Sequence, residues 1–379
     1  MLYNWQRPFA LPDPTGTDCA AAPIQSEVST KTVYQLDPLQ DSRWATFVDM
    51  HPSSTVFHAV AWLEALRRTY GYQPIVYTTS PPGGSLDNGL VLCRVASWIT
   101  GQRLISLPFS DHCDPLWNNA GDENVFVSAL EQALHREKLR YIEIRPTRPL
   151  STTASPFRTT QSYCFHRVDL RPDLITLYGN CHKSSTQRKI VRAEREGLIY
   201  QAGRSEELLE AFWCLLLLTR RRHGIPPQPK SWFGNLIDCF GDALQIRVAF
   251  KAKQPVASIL TLRHKDALVY KYGCSDIRFN NLGGTHLLFW RSIQEAKAAG
   301  LQVFDLGRSE CGNSGLITFK DRWGSARSTL TYTRLSLSPP SDMFGPAAKW
   351  AGRIARGVVP YLPHRILGMI GSVLYRHVA

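Results

Sequence analysis

Val303-Phe304-Asp305-Leu306, followed by Gly307-Arg308-Ser309 and then by Gly315-Leu316-Ile317-Thr318-Phe319-Lys320, is the run that decides the fold. Its first four residues predict a strand after a helix that ends at Gly300, and the apolar run before Lys320 predicts another strand. An acidic residue at one strand tip and a cation at the next would bring opposite charges together beside glycine backbone. Because buried charges are costly unless they are paired, this arrangement favours a site for polar chemistry over a plain core.

The rest of the chain has the composition of a globular protein. Its 379 residues suffice for two domains, and its 44% hydrophobic content excludes a disordered chain. The nine cysteines are scattered and never spaced C-x-x-C. This pattern argues against a disulfide framework and a structural zinc site, and it is typical of a reducing cytosol. We expect neither a signal peptide nor a membrane-spanning helix.

Basic residues dominate the charge. Lys and Arg number 44 against 31 Asp and Glu, for a net charge of +13, which predicts an anionic partner. Residues 343–379 contain five cations and no acidic residue. Together with the apolar run 366–374, they predict helices that lie on an anionic membrane surface. The alternative is that this tail docks on the protein itself.

Helical and strand patterns alternate along the chain and define four segments. Residues 1–31 lack periodicity and form a lead-in, 32–150 form one mixed α/β unit, 151–338 repeat that pattern, and 339–379 form the basic amphipathic tail. No G-x-G-x-x-G follows a predicted strand, and no G-x-x-x-x-G-K-[ST] is present. Dinucleotide-binding and P-loop folds are therefore not predicted.

Several motifs follow one another in a recognisable order between residues 55 and 335. They are Leu107-Pro108-Phe109-Ser110-Asp111-His112, the basic helix 183–197, Tyr272-Gly273 and the run 300–324. In this order they resemble the FemAB-like acyltransferases of the GNAT superfamily, a group that includes the peptidoglycan bridge-forming aminoacyltransferases. The resemblance implies two tandem GNAT-like domains. It also implies transfer of an activated acyl or aminoacyl group to an amine, which forms an amide.

The resemblance also bears on the acyl donor, which we expect as a co-substrate and not as a bound cofactor. Aminoacyltransferases that use aminoacyl-tRNA often carry a coiled-coil hairpin, and this sequence has no sustained heptad run. The run 278–283 has Asn281 where the family's acyl-CoA-binding turn has its first glycine. An acyl-CoA or acyl-carrier donor is favoured, and tRNA is the less favoured alternative.

Two residues are predicted to be catalytic. Amide formation from an ester or thioester needs a group that stabilises the oxyanion and a group that handles the amine proton. The resemblance implies Lys320 for the oxyanion, and Asp305 is predicted for the amine. The structural alternatives are a solvated lysine at a strand end and a salt bridge from Asp305 to Arg308 or Lys320.

The predicted substrate-binding residues lie in the same motifs. They are Phe109, Asp111, Arg188, Arg192, Tyr272, Arg308, Phe319 and Trp323. Arg188 and Arg192 are spaced i, i+4 on one helix face and suit a phosphate, although a solvated face is nearly as well supported. Tyr272 is expected to share a strand face with Tyr270. No metal site is predicted.

Together these features predict an N-acyltransferase in envelope or exopolysaccharide synthesis. Its acceptor would be an amino-bearing, phosphate-linked glycan or glycopeptide, or a lipid-linked one, met at the cytoplasmic face of the cell membrane. The first alternative is a peptidoglycan bridge aminoacyltransferase that uses aminoacyl-tRNA. The alternative from another class is a non-catalytic scaffold that binds anionic lipid.

Overall fold

The computed structural model describes residues 31–98, 101–117, 120–150, 156–337 and 364–377. Residues Thr32–Ala379 form one compact unit. The strands are β1 Tyr34–Leu36, β2 Gln73–Thr78, β3 Leu90–Ser97, β4 Gly101–Ile105, β5 Tyr141–Ile144, β6 Arg158–Asp169, β7 Ile199–Gly203, β8 Leu244–Lys251, β9 Gln254–His264, β10 Ala267–Ser275, β11 Val303–Glu310 and β12 Ala326–Leu335. The helices are α1 Ser42–Met50, α2 Val60–Tyr70, α3 Ala120–Arg136, α4 Leu174–Asn180, α5 Arg188–Arg195, α6 Glu206–His223, α7 Lys230–Phe240, α8 Gly284–Ala298, α9 Ser314–Asp321 and α10 His364–His377.

All the strands belong to a single sheet. Its order is β1-β2-β3-β4-β5-β12-β6-β11-β10-β9-β8-β7; among the described strands, the pairs β4/β5 and β10/β11 are parallel and the other pairs are antiparallel. Strand β12 lies between β5 and β6, so the sheet runs without a break across the predicted domain boundary at residue 150. The mixed α/β class is confirmed, while the division into two domains there stays a prediction.

The described residues form four hydrophobic clusters on this sheet. Three pack helices against it, and the fourth joins β6 to β12 through Tyr163, Phe165, Leu330 and Tyr332. The largest combines α1, α2, α6 and α7 with one face of β2–β4 and β8–β10. Helix α3 packs on the other face of the first strands, and α5 and α8 pack on the other face of the second group. Strand β3 shows why: Val91 and Cys93 enter the first core while Leu90 and Leu92 enter the α3 core, because successive side chains point to opposite faces.

The predicted strand before Lys320 is wrong, because this segment is helix α9. The side-chain oxygen of Asn313 accepts a hydrogen bond from the Leu316 N–H at 3.1 Å and caps the helix. Ile317 and Lys320, three residues apart, are both buried on one face. A short apolar run does not by itself distinguish a strand from a helix, and here the asparagine cap was the signal for a helix.

Helix α10 docks on the protein through one face. The Tyr375 hydroxyl donates to the Pro226 carbonyl at 2.9 Å, and the Tyr72 hydroxyl donates to the Tyr375 carbonyl at 2.5 Å. Leu367 is fully buried. The exposed face of the helix is apolar. Its exposed side chains are Ile366, Met369, Ile370, Val373 and Leu374, of which Met369 is 70% and Val373 62% exposed. The rest of the predicted tail, 339–363 and 378–379, and the lead-in up to residue 30 lie outside the described residues.

Candidate active site

Strands β10 and β11 separate in the middle of the sheet. Their parallel pairing covers three residue pairs and ends at Val269 and Asp305. Directly beyond that point β10 has an irregularity between Tyr270 and Tyr272, and β11 has one between Asp305 and Arg308. β-bulges redirect a strand and end its pairing, so a wedge opens between the two strands where charged side chains can gather.

Gly307 connects the two predicted catalytic residues. Its N–H donates to Asp305 Oδ1 at 2.7 Å, and its carbonyl accepts a hydrogen bond from Lys320 Nζ at 2.9 Å. Lys320 Nζ also donates to the Arg308 carbonyl at 2.9 Å. The backbone of Gly307 has φ of +69°, in the left-handed region that favours glycine. Asp305 and Lys320 are therefore close in space and joined through one bulged residue, although Lys320 comes from a helix and not from a strand tip.

Burial changes the acid–base properties of Lys320. The side chain is 2% exposed, and desolvation lowers its pKa to about 8, against the opposing charges of Asp111 and Asp305. A lysine with this pKa is partly neutral near physiological pH. It can therefore carry a charge or exchange a proton in the same pH range.

Asp111 brings the first half of the chain to the wedge. Its carboxylate lies 3.1 Å from Lys271 Nζ and 3.6 Å from Arg308 Nε. Burial alone would raise the pKa of Asp111, but the positive charges of Lys271 and Arg308 outweigh it, and the pKa is lowered. The pKa of Lys271 is lowered because desolvation outweighs the pairing with Asp111. The ammonium of Lys271 also lies 5.4 Å from the ring centre of Phe57.

A cavity of about 430 Å³ begins beside Asp305. Its walls come from both halves of the chain: segments 52–56, 112–117 and 146–150 on one side, and strands β10 and β11 with Arg167 and His264 on the other. His112 lines it, and His112 Nε2 lies 2.9 Å from Asp305 Oδ2. Lys320 does not line this cavity, so Asp305 is the member of the pair that reaches it.

The predicted substrate-binding residues fall into two groups. Asp111 and Arg308 lie in the wedge, as described above. The others lie elsewhere, with Arg188 and Arg192 on α5. Phe109 packs on Tyr70 and Trp232, and Tyr272 accepts a hydrogen bond from Trp232. Phe319 and the fully buried Trp323 pack on Phe289 in the α8 core. These four aromatic side chains pack in the cores.

One prediction from strand alternation needs correction. Tyr270 packs in the α8 core and Tyr272 in the opposite core, so they do not share a face. The irregularity between them adds a residue and reverses the alternation. The predicted role of Arg188 and Arg192 stays a prediction. Both belong to helix α5, which packs on the α8 side, whereas Asp305, which alternates with Phe304 and Leu306, faces the other side.

Sequence reasoning missed Lys271 and His112 as members of the site. Lys271 interrupts the buried strand run Leu268-Val269-Tyr270-Lys271-Tyr272, and a lysine is rarely buried without a partner. That interruption was the available signal. His112 follows Asp111 directly, and no local pattern could show that it meets Asp305 from a distant strand. Among the described residues, no group of His, Cys, Asp or Glu is arranged to hold a metal ion.

Comparison with known proteins identifies the fold and the domain. Residues 182–320 match the family model described as an acetyltransferase (GNAT) domain. The crystal structure of FemX, 13% identical, has a TM-score of 0.62 over 85% of this chain and all of that one. Residues 182–320 therefore form a GNAT domain, and the chain resembles FemX in fold. The matched domain ends at Lys320, and it contains Lys271, Asp305 and Arg308.

Two further similarities are to a curated relative and to a second solved structure. A UDP-N-acetylmuramoylpentapeptide-lysine N(6)-alanyltransferase of Weissella viridescens is 27% identical over 142 residues, which is 37% of this chain and 42% of that protein. The chain thus matches less than half the length of this curated relative. The C-terminal domain of a putative lysylphosphatidylglycerol synthetase from Agrobacterium fabrum, 12% identical, has a TM-score of 0.54 over 84% of this chain and 96% of that one. At this identity the structural likeness concerns the fold alone.

Proposed function

We propose that the chain is an N-acyltransferase that forms an amide on an amino-bearing, phosphate-linked glycan or glycopeptide in envelope or exopolysaccharide synthesis. The observation that carries this proposal is the wedge at Gly307 inside the GNAT domain. There, Asp305, Lys320, Asp111, Lys271 and Arg308 gather buried opposite charges beside a cavity. Groups of this kind stabilise charge that develops during acyl transfer.

Each catalytic residue has one proposed role. Lys320 supplies positive charge toward the oxyanion of the tetrahedral intermediate, because a pKa of about 8 leaves most of this lysine protonated at neutral pH. Asp305 serves the amine side, because it reaches the cavity. Arg188 and Arg192 hold phosphate, a proposal supported by the exposure of Arg188.

The donor is proposed to be an acyl-CoA or an acyl carrier. A second candidate is transfer of alanine from aminoacyl-tRNA to a UDP-N-acetylmuramoyl-pentapeptide, and the similarity to the Weissella viridescens alanyltransferase favours it. Both candidates form an amide from an activated carbonyl, so both use the same two catalytic roles.

The tail is proposed to hold the protein at the cytoplasmic face of an anionic membrane. Support comes from α10, whose exposed face carries Ile366, Met369 and Val373 in helical spacing. The preceding basic residues, Lys349 and Arg353 among them, would meet lipid phosphates. Among the described residues, no helix has both the length and the apolar content to cross a bilayer. The proposal is therefore for contact with the surface.

The test is an assay with two donors and one acceptor. Purified protein is incubated with UDP-N-acetylmuramoyl-pentapeptide and either acetyl-CoA or alanyl-tRNA, and mass spectrometry follows the mass of the acceptor. We expect a mass gain with one donor, and we expect Lys320→Met and Asp305→Asn to abolish it. Lys297→Met is the matched control, because Lys297 Nζ also donates to a backbone carbonyl, that of Arg171, away from the wedge. Binding to lipid vesicles without acyl transfer from either donor would instead favour the scaffold.

A further inference from the structure

His112 and Asp305 form a hydrogen-bonded pair with a defined direction. A carboxylate can only accept hydrogen bonds, so His112 Nε2, 2.9 Å from Asp305 Oδ2, carries the hydrogen. In a neutral imidazole the other nitrogen, Nδ1, then has a free lone pair. The second oxygen of Asp305 accepts from the Gly307 N–H at 2.7 Å. Both oxygens of Asp305 are thus already engaged within the protein.

The imidazole ring is held on both sides. Phe57 packs edge-on at 5.3 Å between ring centres, and Phe165 does so at 5.1 Å. The His112 side chain is 2% exposed. The hydrogen bond to Asp305 and the two aromatic rings hold the imidazole of His112 in one orientation. Its Nδ1 atom therefore points in a fixed direction.

Nδ1 of His112 has no hydrogen-bond partner within the described part of the chain, and it is buried. A buried polar atom without a partner costs about 1–3 kcal/mol, and native structures retain few of them. His112 also lines the cavity of about 430 Å³, as Asp305 does. The missing partner is therefore expected to come from a molecule that occupies the cavity.

We propose that His112 Nδ1 is the general base that takes the proton from the acceptor amine in this cavity, and that Asp305 is the positioning residue that orients His112. The proposal rests on the proposed N-acyltransferase function and refines the amine-side role of Asp305. The neutral amine nitrogen bonds to the acyl carbon, and Nδ1 takes the proton that this nitrogen loses. The bond from the acyl carbon to the ester oxygen or thioester sulfur then breaks, and the leaving group receives the proton from Nδ1.

His166 provides a matched control inside the same protein. Its Nε2 lies 3.1 Å from Asp321 Oδ1, and its Nδ1 also has no partner among the described residues. His166 does not line the cavity. If a buried histidine paired with a carboxylate were enough for the base role, replacing either histidine would lower turnover equally. Position at the cavity is what distinguishes them.

The experiment compares His112→Gln with His166→Gln in the two-donor assay. Glutamine can still donate a hydrogen bond to the carboxylate, but it cannot take a proton. We expect His112→Gln to lower kcat by about 10²- to 10⁴-fold with little change in KM. We expect His166→Gln to keep wild-type turnover. Asp305→Asn, as the second variant, should lower kcat while circular dichroism shows a folded chain.

A second measurement needs no substrate. Nitrogen-15 NMR of histidine-labelled protein, assigned with the His112→Gln spectrum, should find that the neutral ring carries its hydrogen on Nε2 and none on Nδ1. Protonated Nδ1 in the neutral ring would overturn the proposal, as would equal turnover of His112→Gln and wild type. Absence of wild-type turnover with both donors would refute the proposed function itself. That result is distinct from an active wild type whose His112→Gln variant is equally active.

Discussion

Asp305 and Lys320 hydrogen-bond to opposite sides of the same residue: Asp305 accepts from the Gly307 N–H at 2.7 Å, and Lys320 donates to the Gly307 carbonyl at 2.9 Å. The two charges are therefore coupled through the backbone at the bulge where β11 leaves β10. A change at any one of these three residues is expected to affect the other two.

The buried Lys320 should make stability depend on pH. Burial lowers the pKa of Lys320 from 10.5 to about 8. Between these two values the unfolded lysine holds a proton that the folded one has released, so the unfolding free energy rises with pH, by at most about 1.4 kcal/mol per pH unit. Below pH 8 both states are protonated and this slope vanishes. Denaturant unfolding at several pH values should show a steeper rise for wild type than for Lys320→Met. Equal slopes would contradict the assigned pKa.

The buried pair Asp111–Lys271 should show strong energetic coupling. Asp111→Asn leaves the Lys271 ammonium, which lies 3.1 Å from the carboxylate, buried without its charge partner. We expect a loss of about 3–5 kcal/mol in unfolding free energy. A double-mutant cycle with Lys271→Met should give a coupling of about 1–3 kcal/mol. The control cycle uses the exposed pair Asp169–Arg171, 2.7 Å apart, where we expect less than about 1 kcal/mol. Comparable couplings in the two cycles would show that the buried pair is not special.

Gly307→Ala should lower acyl transfer, in addition to the stability that it loses from an alanine in a left-handed backbone conformation. Gly307 has φ of +69°, and an added Cβ would lie 2.9 Å from Asp111 Oδ2. Gly300 is the matched control, because it has φ of +74° and nothing within 4 Å of an added Cβ. Both variants should lose about 1–2 kcal/mol from the left-handed backbone. Only Gly307→Ala should also lose acyl transfer, measured in the two-donor assay at a temperature where both variants are folded. Full activity of Gly307→Ala would mean that the position of Asp111 is unimportant.

The exposed face of α10 should govern contact with membranes. Met369→Asp and Val373→Asp place a charge on a face that is 70% and 62% exposed at these positions, so folding should be unaffected. We expect each variant to bind phosphatidylglycerol vesicles about tenfold more weakly in a sedimentation assay. Ile175→Asp, at an 85% exposed position on α4, is the control and should bind as wild type does. Unchanged binding of all three variants would remove α10 from the proposal. Point variants are preferable to truncation, because Tyr375 also bonds to Tyr72 and Pro226.

The sequence by itself determined the mixed α/β class, the positions of most helices and strands, and the family resemblance. These features follow from local periodicity and from the order of short motifs, which need no knowledge of distant contacts. Asp305 and Arg308 were predicted as site residues because charged residues beside glycine or at a strand end are visible in the sequence, and Asp111 because it lies in a polar loop within one of the motifs. The strand before Lys320 was predicted wrongly, because an apolar run as short as this one fits both the two-residue period of a strand and the 3.6-residue period of a helix.

Only the tertiary structure decided which charged residues meet. His112 reaches Asp305 from a loop 193 positions away in the chain, and Lys271 reaches Asp111 from 160 positions away. A bulge of one residue moved Tyr270 and Tyr272 to opposite faces, a change that periodicity cannot register. The sequence sets the local elements through interactions between near neighbours. Which charged residues become partners depends on where β10 and β11 stop pairing in the sheet, and that point is set by the whole fold.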